Sequence, residues 1–137
     1  MQSNCIFCKI IAGEIPSAMV YEDEDFKVIM DIFPAAQGHT IILPKRHSAN
    51  LFELEDDTAA KALVVARKVA TAMKAELKCE GINLQQNNGE AAGQSVNHFH
   101  IHLIPRFTGD QVKMSWAQGS YAEGEAVAFA AAIAARL

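Results

Sequence analysis

The sequence predicts an α+β protein: a mostly antiparallel sheet of about five strands, with one long helix packed on it and shorter helices near each end. Three observations carry this. Strand-like runs at 19–31, 39–44, 82–89 and 97–104 come in blocks, without strict strand–helix alternation. Between about Asp56 and Cys79 the apolar residues recur at helical spacing. The run "NHFHIHLIPR" (97–106) alternates histidine with apolar side chains, the two-residue period of a strand. At 137 residues the chain reads as one domain, 1–137, able to bury about two thirds of its unfolded surface.

Taken in order, "NCIFCKIIAGEIP" reads as a short helix capped by Asn4 and stopped by Gly13 and Pro16. "MVYEDEDFKVIMD" (19–31) reads as two strands joined by an acidic turn, and "HTIILP" (39–44) as a third, ended by Pro44. In the long helix Leu63, Ala66, Ala70, Met73 and Leu77 form the buried stripe, and Lys61, Arg67, Lys68, Lys74 and Lys78 fall largely outside it. Asp56 or Asp57 is expected to cap its start and Gly81 to end it. "INLQQNNG" (82–89) follows as a strand, then the loop "EAAGQS", then the histidine strand, closed by Pro105. The Ala-rich tail 123–136 carries Glu123 and Glu125 early and Arg136 late, as a helix dipole favours.

Composition narrows the function classes. A formal charge of −4 with scattered basic residues argues against long nucleic acids as partners, but not against a small nucleotide. The start "MQSNCIFCKI" lacks a secretory leader's basic head and apolar stretch, and the longest apolar run, "AVAFAAAIAA", is about half a membrane span. A cytoplasmic location with no membrane partner is therefore expected. Three cysteines, an odd number in a reducing compartment, point to metal or free thiols over a disulfide framework.

Five histidines in 137 residues give only about 0.006 chance occurrences of this spacing. In a strand His98, His100 and His102 share one face, toward water or a cleft, and Phe99, Ile101 and Leu103 share the other, toward the core. Such a row suits a three-histidine zinc hydrolase, a nucleophilic imidazole, or merely a polar surface strand. The upstream loop "NNGEAAGQS" favours the nucleophile: Gly89 and Gly93 permit tight turns, and Gln94, Ser95 and neighbouring N–H groups can donate to an anion. Separately, Cys5-x-x-Cys8 lets two thiolates chelate one metal, with a redox pair as the competing idea. Cys79 has no partner in the sequence.

With these residues in view, "NNGEAAGQSVNHFHIHLIPR" resembles the signature of the histidine-triad (HIT) family of nucleotide hydrolases and transferases. "IFCKIIAGEIPS" and "DIFPAAQGHTIILPKRH" resemble it too, so the likeness spans roughly residues 4–108, and the short N-terminal segment is like the Hint-like phosphoramidases of the bacterial branch. The resemblance implies that His100 attacks the α-phosphorus of a purine nucleotide conjugate, forming a nucleotidyl-histidine that water hydrolyses. It implies that His102 contacts the phosphate, and that Ser95, with the Gly93–Gln94 backbone, holds the phosphate and assists the leaving group. By the same likeness Asn87 lies near the α-phosphate, Asp31 accepts from the ribose hydroxyls, and His39 is a further pocket histidine. Phe7, Ile10 and Ile32 match positions lining the base pocket. His47 and His98 match the ligands that complete a structural zinc site with Cys5 and Cys8, so catalysis itself needs no metal cofactor. A dinucleoside polyphosphate is the alternative substrate. A homodimer with one continuous sheet of about ten strands is implied, with Trp116 either reaching the partner's pocket or packing locally.

Overall fold

The computed structural model describes residues 2–137. Its five strands form one antiparallel sheet in the order β1(Met19–Glu22), β2(Phe26–Met30), β3(Thr40–Pro44), β5(Ile101–Arg106), β4(Gly81–Gln85). The short connection between β1 and β2 makes them hairpin neighbours. Asp23 ties that turn: its carboxylate accepts from the N–H groups of Asp25 and Phe26 and from the Tyr21 hydroxyl.

Period-two alternation sorts side chains between the faces. Phe26, Val28, Ile42, Phe99, Ile101 and Leu103 meet Ala62, Val65, Ala66, Val69 and Met73 of the long helix α2(Asp56–Leu77). Ile29, Ile41 and Leu43 point to the opposite face and pack on Cys5, Phe7, Cys8 and Ile10, in and before the short helix α1(Ile6–Ile11). The expected backing of the histidine row, Phe99, Ile101 and Leu103, is thus the core beneath α2, and the histidines share the α1 face.

Several local expectations give way. The first helix is capped by Cys5, whose sulfur accepts from the Cys8 N–H, and not by Asn4. Glu55, with no side-chain cap bond, precedes α2 where Asp56 or Asp57 was expected, leaving both acids in the first turn where the dipole favours them. The helix ends on Lys78 in the left-handed region (φ 57°), and Gly81 opens β4 instead of closing α2. Leu63 is 64% exposed, so the buried stripe is rotated onto Ala62, Val65 and Val69, whose smaller side chains let α2 lie close to the sheet. Pro105 lies inside β5: pairing with β3 ends at Leu103, so the proline sits where β5 is laddered only to β4 and its missing N–H costs no sheet bond on the β3 side. The regular strand begins only at Ile101, so of the triad His102 alone is in it, while His98 and His100 lie on the extended approach.

The tail forms α3(Glu125–Ala134), and none of its residues is buried. Val127, Phe129 and Ile133 are all exposed, as is Trp116 at 84%. No described helix is long and apolar enough to cross a membrane.

Candidate functional site

The centre of the site is a set of imidazoles whose tautomers are dictated by their neighbours. A neutral ring has one N–H and one lone pair, so a fixed partner on one nitrogen decides the other. At His100, Nδ1 lies 2.6 Å from the His98 carbonyl, which can only accept. The proton is therefore on Nδ1, and Nε2 presents its lone pair. No hydrogen bond to Nε2 is formed within the described residues, and no buried polar side-chain atom among them lacks a partner, so Nε2 reaches the surface although the residue is only 5% exposed. Phe7 packs edge-on against the ring, centroids 5.0 Å apart. Burial holds His100 below the ordinary histidine range, favouring the neutral form.

His102 is set the other way by a short relay. The Ala35 N–H donates to Nδ1 of His39 at 3.0 Å, so the His39 proton is on Nε2. That nitrogen lies 2.9 Å from Nδ1 of His102, to which it donates, and 3.5 Å from the Asp31 carboxylate. Nε2 of His102 consequently carries a proton and acts as a donor. Burial, reinforced by His100 and His39, lowers His102 to about 4. Burial also lowers His39, with Asp31 opposing the shift. Asp31, His39 and His102 are close enough to resemble a metal-binding group. A metal on Nε2 of His39 would force the proton onto Nδ1, against the Ala35 N–H, so these residues fit a hydrogen-bond relay better.

Gly38 lets the chain bring His39 here: its φ is +100°, and a Cβ would lie 2.5 Å from Leu77 Cδ1. Asp31 also accepts from the Phe33 N–H at 2.8 Å, and Ile32 beside it is 80% exposed. Ile10 is buried in the α1 core together with Phe7, whose ring meets His100.

The loop before the triad divides its labour. Gln94 is buried and fully engaged: Oε1 accepts from the Gly89 N–H, Nε2 donates to the carbonyls of Ala49 and Val96, and its own N–H donates to Gly89. The Gly93 N–H is likewise spent on Glu90. Gln94 and Gly93 thus fix the shape of the loop that leads into the triad. Gly93 has φ +88°, and Asn87 Nδ2 lies 3.7 Å from where its Cβ would be. The Ser95 hydroxyl is exposed, in an open cleft shared with Glu90 and Asn97.

On the far side of His100, four side chains converge. Nε2 of His98 donates to the Pro44 carbonyl at 2.8 Å, turning its Nδ1 lone pair toward Cys5 Sγ (3.5 Å), Cys8 Sγ (3.6 Å) and His47 Nδ1 (3.1 Å). Cys8 Sγ is 3.4 Å from His47 Nδ1. A zinc tetrahedron of two nitrogens and two sulfurs has edges of about 3.3 to 3.8 Å, so the donor set and its spacing fit zinc. The Cys8 N–H donates to Cys5 Sγ and the Gln2 N–H to Cys8 Sγ, as outer-shell donors support thiolates. Burial pushes the Cys8 thiol up and lowers His98 to about 4. The three triad rings do not converge on one point: His98 faces the cysteines and His100 the solvent side.

Comparison with known proteins agrees with this geometry. The profile described as the HIT domain matches residues 12–109. Protein hit of Bacillus subtilis is 48% identical over 114 residues, 82% of this chain and 79% of that protein. Adenosine 5'-monophosphoramidase HNT1 of Saccharomyces cerevisiae is 42% identical over 106 residues, covering 77% and 65%. Among solved structures, a HIT-family member from Bacillus subtilis superposes with TM-score 0.93 at 41% identity, covering 98% of each chain. A zinc-bound histidine-triad protein from Mycobacterium smegmatis gives 0.77 at 36% identity, covering 96% and 94%. With its profile over most of the chain and its fold shared throughout, the chain belongs to the HIT family.

Proposed function

We propose that this protein hydrolyses purine nucleoside 5′-phosphoramidates or related nucleotidyl conjugates through a covalent nucleotidyl-His100 intermediate. The observation that carries the reading is the opposed pair of tautomers: a lone pair on His100 Nε2 beside an N–H on His102 Nε2. The first attacks phosphorus and the second donates to a phosphoryl oxygen. As the P–Nε2 bond forms, the bond to the leaving group breaks; the departing nitrogen keeps the bonding pair and takes up a proton relayed from solvent through the Ser95 hydroxyl. The positive charge gained by the imidazole is spread to Nδ1–H, against the His98 carbonyl. Water then attacks phosphorus, releases the nucleotide and returns His100 to its neutral form.

Around this centre Asp31 accepts from ribose hydroxyls, Ile32 and Phe7 border the base, and Asn87 and Ser95 meet the phosphate. The yeast phosphoramidase relative supports the amide-linked substrate class. Zinc held by Cys5, Cys8, His47 and His98 would cross-link the start of α1 to the catalytic segment; the zinc-bound relative and the donor spacing support this. We read residues 1–137 as one HIT domain, cytoplasmic, acting as a homodimer: among the described residues α3 and Trp116 stay exposed, and β4 is an edge strand of the sheet.

Turnover of matched amide-linked and anhydride-linked adenosine conjugates tests the substrate class. The phosphoramidate is expected to be preferred; preference for a dinucleoside polyphosphate moves the assignment to that alternative. Chelator treatment that leaves the fold intact is expected to lower turnover without abolishing it. Abolished turnover with intact fold supports the zinc-hydrolase alternative.

A further inference from the structure

After β5 the chain does not leave the sheet freely. Arg106 donates through Nε and Nη2 to both oxygens of Asp110 (2.8 and 2.9 Å), through Nη1 to Asn83 (2.7 Å) and through Nη2 to the Val112 carbonyl (2.9 Å). Asp110 in return accepts from the N–H groups of Phe107 and Val112. This clamp ties residues 110–112 to Arg106 of β5 and, through it, to Asn83 of β4. It lays Val112, Lys113 and Met114 along a cleft of about 230 Å³ whose other wall holds His39, His102 and Gln85.

Sheet order places the cleft. His102 is on β5, with Ile41 of β3 opposite it on one side and Gln85 of β4 on the other. Asp31 follows β2, beyond β3, so a substrate whose ribose meets Asp31 has its other end free to run toward β4. Arg106 and Asp110 cancel each other, and no carboxylate lines the cleft among the described residues. Lys113 is the one formal charge on its wall, and it makes no hydrogen bond or ion pair within the described residues.

From this juxtaposition we infer that the cleft is a leaving-group subsite, and that Lys113 selects leaving groups carrying an anionic carboxylate or phosphoryl group close to the scissile bond. The inference rests on the nucleotidyl-transfer reading of the histidine site. Arg106 is a positioning residue for it, acting through the turn that carries Lys113.

The test compares adenosine 5′-phosphoramidates of glycine, aminomethylphosphonate and glycinamide, which share the linkage and differ in terminal charge. The kcat/KM ratio of each anionic conjugate to glycinamide is expected to be about fivefold in the native protein, the size an exposed ion pair allows. It is expected to fall toward one in Lys113→Gln and in high salt, to persist in Lys113→Arg, and to invert in Lys113→Glu. The carboxylate and phosphonate arms separate the two anion classes. The same ratios are read as binding constants on His100→Asn, with and without Lys113→Gln. Charge selectivity in binding without native turnover upholds the subsite and removes the hydrolase reading. Turnover with ratios indifferent to Lys113 and salt overturns the subsite alone, and absence of both binding and turnover overturns both.

Discussion

The main-chain carbonyl of His98 accepts the Nδ1–H of His100 at 2.6 Å, while the His98 side chain faces Cys5, Cys8 and His47. One residue therefore touches both the metal-type cluster and the proposed nucleophile, the first through its ring and the second through its backbone. The prediction is that disturbing the cluster loosens the nucleophile without abolishing it. Cys8→Ser is expected to cost about 1–3 kcal/mol of stability, the range for a buried polar partner lost, and to lower bound zinc and kcat together. Metal content, thermal melting and kcat measured on one preparation check this; unchanged melting with lost zinc would contradict it.

The relay from Ala35 through His39 to His102 makes a separate claim, about tautomers. His39→Ala removes the donor that holds His102 Nδ1 unprotonated, so its N–H is no longer fixed toward the substrate. A fall in kcat of about 10- to 100-fold is expected, as for other orienting partners of a working imidazole, with KM moving less. His39→Gln, which keeps a donor, should recover part of the rate. Equal losses in both variants would point to packing instead of proton placement.

Depressed histidines give stability a direction in pH. His102 lies at about 4 when folded, whereas an unfolded imidazole titrates near its ordinary 6.5. The unfolded chain therefore binds the extra proton first as pH falls. The contribution is fully present above about pH 6.5 and is lost progressively toward pH 4. Urea midpoints across this window should decline more steeply in the native protein than in His102→Asn. A midpoint that rises on acidification would reverse the sign and the argument. Turnover, which needs His100 neutral, should follow the same direction, with an acid limb below the ordinary histidine range.

The uncovered face of α3 predicts assembly. Val127, Phe129 and Ile133 lie on a helix with no buried residue, so substituting them leaves the domain's own core untouched. Phe129→Asp with Ile133→Asp is expected to shift sedimentation from dimer to monomer at micromolar concentration while the melting of the monomer persists. Identical sedimentation of both proteins would assign the helix another role.

What was legible in the residues depended on whether the information was local. The phase of Phe99, Ile101 and Leu103 against the histidines follows from strand geometry alone, and α2 packs where that phase requires. The five-stranded antiparallel sheet followed from the spacing of its strands and turns. The caps were less legible: Cys5 takes its place within the packed α1 cluster, and the exposed Glu55 and Lys78 stand at the ends of α2 although better capping residues lie nearby. The His39–His102 contact and the Arg106–Asn83 bond join parts of the chain that only the sheet register brings together, and no spacing in the sequence encodes them. The partners of the Gln94 side chain at Ala49 and Val96 were not legible either, because they too lie outside its local turn pattern.

The most direct measurement is mass spectrometry of the protein mixed with an adenosine phosphoramidate, quenched in base, where phosphohistidine survives, and digested. An AMP adduct on His100, absent in His100→Asn, is the predicted result. Turnover with the adduct on another residue, or with none captured at any quench time, would contradict nucleophilic attack by His100.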